Sequence, residues 1–285
     1  MNKIKILVVG NKGLLGESLM NVSDSFNFEI TGIDLESIDI SNIDSVRSYF
    51  KEKKFDWLVN CAAYTDVDGA EASKEIAMAI NANGPENLAI ICKENNINFL
   101  HISTDMVFTG TKEQDEFDEY ALPDPVNYYG LSKLEGEKLA MKIYDSNLWI
   151  VRTSWLYGGK GDKRKGFVNK VIDWATRNST LSIVDDEIGS PTFVKDLADF
   201  IFEIIAGGEK KYPAGIYHTV NLGEVSRYEV ATEINKILKL GKTINRASIK
   251  DFNRPAKVSY KSILKNTKLP QARHWKDALN EYLAG

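Results

Sequence analysis

The feature that most constrains the fold is an apolar run that leads directly into three evenly spaced glycines. The run Ile4–Val9 is typical of a buried parallel strand, and Gly10, Gly13 and Gly16 follow it. Such glycines allow a tight turn, a close approach of backbone to phosphate, and close packing of the next helix. The spacing is G-x-x-G-x-x-G, so the common G-x-G-x-x-G motif is matched only in part. The helix N-terminus is then aimed at the pyrophosphate, and cofactor contacts are expected from Gly10, Lys12, Gly13, Leu14, Leu15 and Gly16.

The next apolar stretch ends in an acid. Residues 28–33 form a second predicted strand, and Asp34 follows it directly. In dinucleotide-binding folds an acid at this position hydrogen-bonds the hydroxyl groups of the adenosine ribose. A carboxylate there also repels a 2′-phosphate, so Asp34 predicts that NADH is used at least as well as NADPH. Lys12, in the glycine turn, is the residue that could reverse this preference.

The first half of the chain alternates strands and helices. Further strands are predicted at 57–60, 99–103 and 148–153, and helices at 41–50, 70–82, 85–94 and 129–144. This order predicts an α/β fold with a doubly wound, Rossmann-like parallel sheet, in which ligands bind at the carboxyl ends of the strands. Gly10, Asp34, residues 60–63, Ser103 and Thr104 all fall at such ends, so one site is expected there.

Beyond residue 154 the pattern is less regular. Strands are predicted at 181–184 and 216–220, and helices at 194–206, 226–240 and 275–283. We therefore expect a dinucleotide-binding domain over residues 1–154, with elements returning to it from about 181–222. A smaller C-terminal substrate-binding lobe over residues 155–285 is expected to be interleaved with it.

Composition excludes several classes of function. A formal net charge of -4 gives no broad basic field for nucleic acid. No stretch approaches the roughly 18 apolar residues of a membrane helix. Cys61 and Cys92 lie in apolar surroundings typical of reduced thiols, and the three histidines lack ligand spacing, so no metal site is predicted. We expect a cytoplasmic protein that acts on small molecules.

A basic run, Lys160 to Lys165, holds four basic side chains in six residues. Its simplest interpretation is a solvated loop. The functional alternative is contact with a substrate diphosphate.

A second chemical signature lies between Ser103 and Lys133. Tyr129 and Lys133 are four residues apart, so a helix places them on one face. A phenol has a pKa of about 10, and a neighbouring ammonium lowers that pKa by favouring the phenolate. An oxygen held between Thr104 and Tyr129 could then gain or lose a proton while a hydride moves at carbon. The alternative is a half-buried tyrosine and a solvated lysine, because this spacing is common by chance.

Further motifs run along nearly the whole chain. They are Gly10-x-x-Gly13-x-x-Gly16, the segment from Asn60 to Asp68, Ser103-Thr104-Asp105-x-Val107-Phe108, Tyr129-Gly-x-x-Lys133, Arg152-Thr153-Ser154-Trp155-x-Tyr157, Gly189-Ser190-Pro191-Thr192 and Arg254-Pro255. This series resembles the dTDP-4-dehydrorhamnose reductases, a family of the extended short-chain dehydrogenase/reductases. The combination is specific, whereas any one motif is not.

The resemblance implies a reductase that uses NADPH or NADH on the C4 ketone of a nucleotide-linked 4-keto-6-deoxyhexose, most closely dTDP-4-dehydrorhamnose, giving dTDP-rhamnose. Thr104, Tyr129 and Lys133 match the family's catalytic residues. Tyr129 would give a proton to the C4 oxygen, Thr104 would hydrogen-bond the ketone, and Lys133 would lower the tyrosine pKa and hold the nicotinamide ribose.

Other positions also take expected roles from the resemblance. Asp39 and Ile40 match a pair near the adenine. The cofactor ribose and phosphates would meet Cys61, Ala62, Ala63, Tyr64 and Ser103. The sugar pocket would be lined by Val67, Asp105, Met106 and Trp155. A homodimer is the expected assembly, and neither nucleic acid nor membrane is an expected partner.

Three residues depart from the family pattern. Met106 stands where tyrosine is usual, Gly166 where asparagine is common, and Arg227 where tryptophan is frequent. These changes leave the reductive chemistry intact and leave the identity of the sugar open.

Two other functions share these features. Nucleotide-sugar epimerases and dehydratases have the same fold and tyrosine–lysine pair, and they hold NAD tightly because they regenerate it in each cycle. Dehydratases usually have an acidic pair after the threonine, whereas here Asp105 is followed by Met106. A non-catalytic nucleotide-binding regulatory subunit is the third hypothesis, and the intact Thr104, Tyr129 and Lys133 argue against it.

Overall fold

The computed structural model describes residues 3–21, 26–110, 115–159 and 166–285; the basic run at 160–165 lies outside them. Ten helices and fourteen strands occur in the described residues. The strands are β1 Ile4–Val9, β2 Phe28–Ile33, β3 Trp57–Asn60, β4 Asn98–Thr104, β5 Glu116–Phe117, β6 Leu148–Thr153, β7 Leu156–Tyr157, β8 Thr180–Val184, β9 Ile188–Gly189, β10 Thr192–Phe193, β11 Gly215–His218, β12 Val225–Ser226, β13 Thr243–Ala247 and β14 Ile263–Leu264. The helices are α1 Leu14–Met20, α2 Ile43–Phe50, α3 Val67–Ala72, α4 Lys74–Met78, α5 Gly84–Asn95, α6 Tyr128–Tyr144, α7 Phe167–Arg177, α8 Val194–Lys211, α9 Arg227–Ile237 and α10 Trp275–Ala284.

Six strands form one parallel sheet in the order β11-β6-β4-β3-β1-β2. Successive residues of β1 belong to different cores: Ile6 and Val8 pack with α1 and α8, whereas Leu7 and Val9 pack with α2, α5 and α6. Burial on both faces is characteristic of a parallel sheet covered by helices on each side. The doubly wound α/β fold expected from the sequence is confirmed.

The sheet changes its direction of growth at β1. Strand β2 lies on one side of β1, and β3 lies on the other. Such a switch point opens a crevice at the carboxyl ends of the strands. Gly10 follows β1 and Cys61 follows β3, so the glycine turn and the segment after β3 meet at this crevice.

The C-terminal half adds a third core. Helices α7, α9 and α10 pack with β8, and β8 pairs with β13 rather than with the six-stranded sheet. Only Leu181 and Ile183 of β8 are fully buried, whereas Thr180 and Ser182 are exposed. A strand inside the parallel sheet needs both faces covered. The expectation that the chain returns to the first domain from about residue 181 is therefore wrong for β8. The chain returns to the six-stranded sheet at Val194, where α8 begins. The division into two domains stays a prediction.

The helix expected over residues 70–82 is broken. Ser73 has φ −118° and ψ 49°, which ends α3 and begins α4. The chain then widens into a π-helix over Ala79–Asn83 before α5 starts. This wider turn places Asn81 in the protein interior.

Candidate active site

The glycine turn leaves no room for side chains at two of its three glycines. Gly10 has φ +83°, and a Cβ there would lie 2.6 Å from the backbone nitrogen of Ala62. A Cβ at Gly16 would overlap the carbonyl group of Gly10, whereas at Gly13 it would be only 3.4 Å from that oxygen, an ordinary contact. Helix α1 follows Gly13 directly. The backbone of Gly10 therefore packs directly against Ala62, and that of Gly16 against Gly10, which gives the tight turn that such a glycine series requires.

The side chains of this turn have different environments. Leu15 is buried in the sheet core, so only its backbone can meet a ligand. Leu14 is half-buried and packs against the C-terminal core. Lys12 is exposed and pairs with Glu36, at 2.5 Å between Nζ and Oε1.

Asp34 lies at the end of β2, as expected. Its carboxylate accepts the backbone N–H groups of Lys12, at 3.1 Å, and Leu35, at 2.8 Å. Glu36 was not predicted; its signal was a second acid two residues after Asp34. Two acids thus stand where the ribose of an adenine nucleotide is expected, and one of them holds the Lys12 ammonium.

The pair expected near the adenine is divided between solvent and core. Asp39 is exposed, and its carboxylate accepts the N–H and the hydroxyl of Ser41 at 3.0 and 2.7 Å. Ile40 is buried, and its side chain occupies the space beside Gly84. Contact with an adenine stays a prediction.

The segment after β3 is tied to helix α6 through Asn81. The Asn81 side chain accepts the Tyr64 N–H at 2.8 Å and donates to the Tyr64 carbonyl at 3.0 Å. It also donates to the Ser132 hydroxyl, at 3.0 Å. Cys61, Ala62 and Ala63 precede this anchor, and burial raises the pKa of the Cys61 thiol to about 12. Residues 61–64 are therefore fixed against the helix that carries Tyr129 and Lys133.

Tyr129 and Thr104 meet at the carboxyl end of β4. Asn127 caps α6 by accepting the Gly130 N–H at 2.8 Å, which sets Tyr129 in the first turn. Burial and the nearby Asp105 carboxylate raise the pKa of Tyr129 to about 12, and a hydrogen bond with Thr104 partly opposes them. The hydroxyl of Ser103, the residue before Thr104, is buried without a hydrogen-bond partner among the described residues.

Lys133 is buried, with only 2% of its surface exposed. Its ammonium nitrogen donates to the Ile102 carbonyl at 2.7 Å and lies 3.3 Å from Nε2 of His101. Burial lowers the pKa of Lys133 to about 8. The expected lowering of the Tyr129 pKa by this lysine is wrong for this structure, because burial of the phenol outweighs any nearby positive charge.

A small cavity of about 20 Å³ lies beside Asp105, the residue after Thr104. Its wall includes three of the four expected sugar-pocket residues, Asp105, Met106 and Trp155. Val67, the fourth, begins α3 and does not line this cavity. Trp155 has φ +45°, an unusual conformation for a bulky residue.

The buried acid Glu187 also lines this cavity, and two arginines lie next to it. The Arg227 guanidinium lies 3.9 Å from the centre of the Trp155 ring and donates to Glu187 at 2.7 Å. Arg254 lies 4.0 Å from Glu187 and also contacts Asp68 at 3.3 Å. The departure at Arg227 therefore puts a cation where the family usually has an aromatic ring. No sequence motif predicts a role for Glu187.

Asp105 is the acid of this wall that contacts Thr104. The Thr104 hydroxyl donates to its Oδ1 at 3.0 Å. Burial raises the pKa of Asp105 to about 7, although the Thr104 hydrogen bond and the Arg227 charge oppose the rise. The site thus holds a carboxyl group that titrates near neutrality.

A parallel sheet with a glycine turn and a Thr–Tyr–Lys group at one edge defines an oxidoreductase of the extended short-chain dehydrogenase/reductase class. A family model described as the RmlD substrate binding domain matches residues 4–285. The chain belongs to this family, and the family expected from the sequence is confirmed.

Relatives of known name match over almost their whole length. The dTDP-4-dehydrorhamnose reductase of Streptomyces griseus is 34% identical, over 96% of this chain and 91% of that protein. A crystal structure of a dTDP-4-dehydrorhamnose reductase from Clostridium acetobutylicum is 35% identical, with a TM-score of 0.91 and 99% of each chain covered. A structure of the Bacillus anthracis dTDP-4-dehydrorhamnose reductase in complex with NADP is 32% identical, with a TM-score of 0.92 and 99% of each chain covered. The chain is an enzyme rather than a non-catalytic subunit.

Two further observations concern the described ranges only. None of the helices in them is both long and apolar enough to span a bilayer. No three of their His, Cys, Asp and Glu side chains are grouped so as to hold a metal ion.

Proposed function

We propose that the protein reduces the C4 ketone of dTDP-4-dehydrorhamnose to give dTDP-rhamnose, with NADPH or NADH as the reductant. The observation that carries the proposal is the placement of Thr104 and Tyr129 together at the carboxyl end of β4, beside a wall formed by Asp105 and Trp155. The named relatives support the choice of substrate. A homodimer and a cytoplasmic location stay predictions.

The residues at the switch point suit a dinucleotide. A tight glycine turn leads into the N-terminus of α1, where a pyrophosphate can bind, and the Ser103 hydroxyl is buried without a partner among the described residues. Asp34 stands at the end of β2, where a ribose is expected. When bound there, the nicotinamide cofactor supplies the hydride.

Tyr129 is suited to be the proton donor. A phenol with a pKa of about 12 stays protonated at neutral pH, and an alkoxide at C4 is a far stronger base. Thr104 hydrogen-bonds the ketone by turning its hydroxyl away from Asp105, its partner in this structure. Lys133 is held one helical turn from Tyr129, where it can return a proton to the phenolate.

The test is reduction of dTDP-4-dehydrorhamnose, generated from dTDP-4-keto-6-deoxyglucose by a 3,5-epimerase. We expect oxidation of NADPH or NADH to match the formation of dTDP-rhamnose, measured by absorbance and by product chromatography. Tyr129→Phe removes the proton donor and keeps the ring, so turnover should fall by about 10² to 10⁴ while the cofactor still binds.

Tyr128→Phe is the matched control, because this tyrosine is the neighbouring residue in the same helical turn. It should retain wild-type turnover. Full activity of Tyr129→Phe would remove the assigned role. Purified protein that carries stoichiometric NAD and shows no net oxidation of added cofactor would instead favour the epimerase or dehydratase function.

A further inference from the structure

His101 is a buried side chain that contacts the catalytic lysine and has no role in the mechanism above. It lies on β4, two residues before Ser103, and its surface is completely buried. Its two ring nitrogens face different partners. Nδ1 lies 3.1 Å from Nδ2 of Asn60, and Nε2 lies 3.3 Å from Nζ of Lys133.

The backbone fixes the orientation of the Asn60 amide. The N–H group of Ala62 donates to Oδ1 of Asn60 at 3.1 Å. A backbone N–H cannot accept a hydrogen bond, so the oxygen of the amide must face Ala62 and the NH₂ group must face His101.

The Asn60 amide in turn fixes the tautomer of His101. The NH₂ group of Asn60 only donates, so Nδ1 of His101 must accept and carries no proton. A neutral imidazole has one N–H, which is then on Nε2 and points at Lys133. Burial also lowers the pKa of His101 well below its usual value, which keeps the ring neutral.

An ammonium group is a poor partner for this N–H. Lysine in its charged form has three donors and no acceptor, whereas the neutral amine has a lone pair that can accept from Nε2. The Ile102 carbonyl accepts one Lys133 hydrogen in either form. The imidazole therefore favours the uncharged form of Lys133.

The other groups around Lys133 do not reverse this preference. Glu137, on the same helix, forms a buried two-point ion pair with Arg152 of β6, at 2.9 and 2.6 Å. The Cys61 thiol, from the segment after β3, is held protonated because burial raises its pKa to about 12. Tyr129, one turn earlier, is also protonated at neutral pH.

We propose that His101 is a positioning residue that stabilises the neutral amine of Lys133, so that Lys133 can give up a proton during the reaction. The inference rests on the proposed reductase function. The Tyr129 O–H bond breaks and its proton goes to the C4 oxygen, while the C4 carbon receives the hydride. A Lys133 N–H bond then breaks and its proton goes to the Tyr129 oxygen. The remaining amine accepts the His101 N–H and regains a proton from water.

The tautomer is tested by NMR of the wild-type protein labelled with ¹⁵N histidine. The chain has three histidines, so His218→Gln and His274→Gln assign the signals. We expect His101 to be protonated on Nε2 and unprotonated on Nδ1, with the Nε2 signal moving as Lys133 titrates near pH 8. A proton on Nδ1 would overturn the inference. This measurement needs no substrate, so it decides the inference even if the reductase assay fails.

The effect on Lys133 is tested by the pH dependence of turnover in His101→Gln. Glutamine can turn its carbonyl towards Lys133 and accept from the ammonium, so the loss of activity at high pH should move upward by about one pH unit. Phe99→Leu is the matched control: Phe99 is on the same strand, with its ring 6.1 Å from that of His101. Its pH profile should match the wild type. Equal shifts in both variants, or no shift in His101→Gln, would reduce His101 to a packing residue.

Discussion

Asp105 shows how burial can move the pKa of a carboxyl group close to neutral pH. The side chain follows Thr104 and is 5% exposed. Its pKa rises to about 7 because the charged form loses water, and the charge of Arg227 offsets this loss only in part. The carboxyl group beside Thr104 is therefore partly protonated at neutral pH.

Asp105→Asn should stabilise the protein at high pH. An unfolded aspartate titrates near about 3.9. Between that value and about 7 the folded state binds a proton that the unfolded state has lost, so wild-type stability falls as the pH rises through this range. Asparagine has no such titration and can still accept the Thr104 hydrogen bond.

The stability gain should be absent below about pH 4 and reach up to about 4 kcal/mol above pH 7. Urea unfolding of wild type and variant at pH 4, 6 and 8 measures it. If the two proteins keep the same difference in unfolding free energy at every pH, Asp105 is ionised in the fold and the assigned pKa is wrong.

Residue roles were predictable where one local element fixes the geometry. Tyr129 and Lys133 lie on one face of a helix, and Thr104 lies at the end of a strand. These positions sufficed to predict that the three residues lie close together. His101 was not predictable in the same way, because its partners Asn60 and Lys133 are 41 and 32 positions away in sequence. Such a contact depends on the order of strands in the sheet, which no local pattern encodes.

At the scale of elements, the end of β2 and the glycine turn act together on cofactor choice. The Lys12 ammonium could attract a 2′-phosphate, but it pairs with Glu36. Asp34 stands in the same place and repels such a phosphate. We therefore keep the expectation that NADH is used at least as well as NADPH.

Glu36→Gln should shift this preference towards NADPH. The change removes one negative charge and releases Lys12, so the ratio of kcat/KM for NADPH to that for NADH should rise severalfold. Steady-state kinetics with both cofactors measure it. Glu29→Gln is the control, because Glu29 is exposed on β2, at the end of the strand opposite to Asp34 and Glu36. An unchanged ratio in Glu36→Gln would show that Lys12 does not reach the cofactor.

The strands of the central sheet were predicted almost to the residue, because each is a short apolar run ended by polar residues. The helices were less well predicted. The break at Ser73 was not predicted, because the chain is helical on both sides of it. Helix α7 was missed although Val168, Val171 and Ala175 recur at a helical period and are buried.

At the scale of the whole molecule, Arg254 links the two ends of the chain. Its guanidinium contacts Asp68 on α3 and lies near Glu187 on the cavity wall. The next segment adds a backbone bond from Ala256 to Asp68, at 3.2 Å. The segment at residues 254–256 is therefore joined to α3 beside the proposed sugar site.

Arg254→Ala should weaken sugar binding more than catalysis. Loss of the link frees the wall that carries Glu187, so KM for the nucleotide sugar should rise about tenfold while kcat and cofactor affinity change little. Arg246→Ala is the control, since Arg246 pairs with Asp185 and makes no ion pair with α3 among the described residues. A fall in kcat without a change in KM would contradict this role for Arg254.

The overall architecture followed from the order of strands and helices, because parallel strands joined by helices have few ways to assemble. The pairing of β8 with β13 did not follow from that order. Its partners are far apart in sequence, and neither strand differs from an edge strand of the main sheet in its pattern of polar and apolar residues.

The π-helix at Ala79–Asn83 limits how the length of this chain can vary. A π-helix contains one residue more per turn than an α-helix, and loss of a residue there would restore the regular helix. Each residue advances an α-helix by about 100°, so Asn81 would rotate away from Tyr64 and Ser132. Relatives that shorten this helix by one residue must therefore find another side chain to join the segment after β3 to α6. Deletions are constrained here even though Lys74, Glu75 and Ile76, on the helix just before it, are exposed.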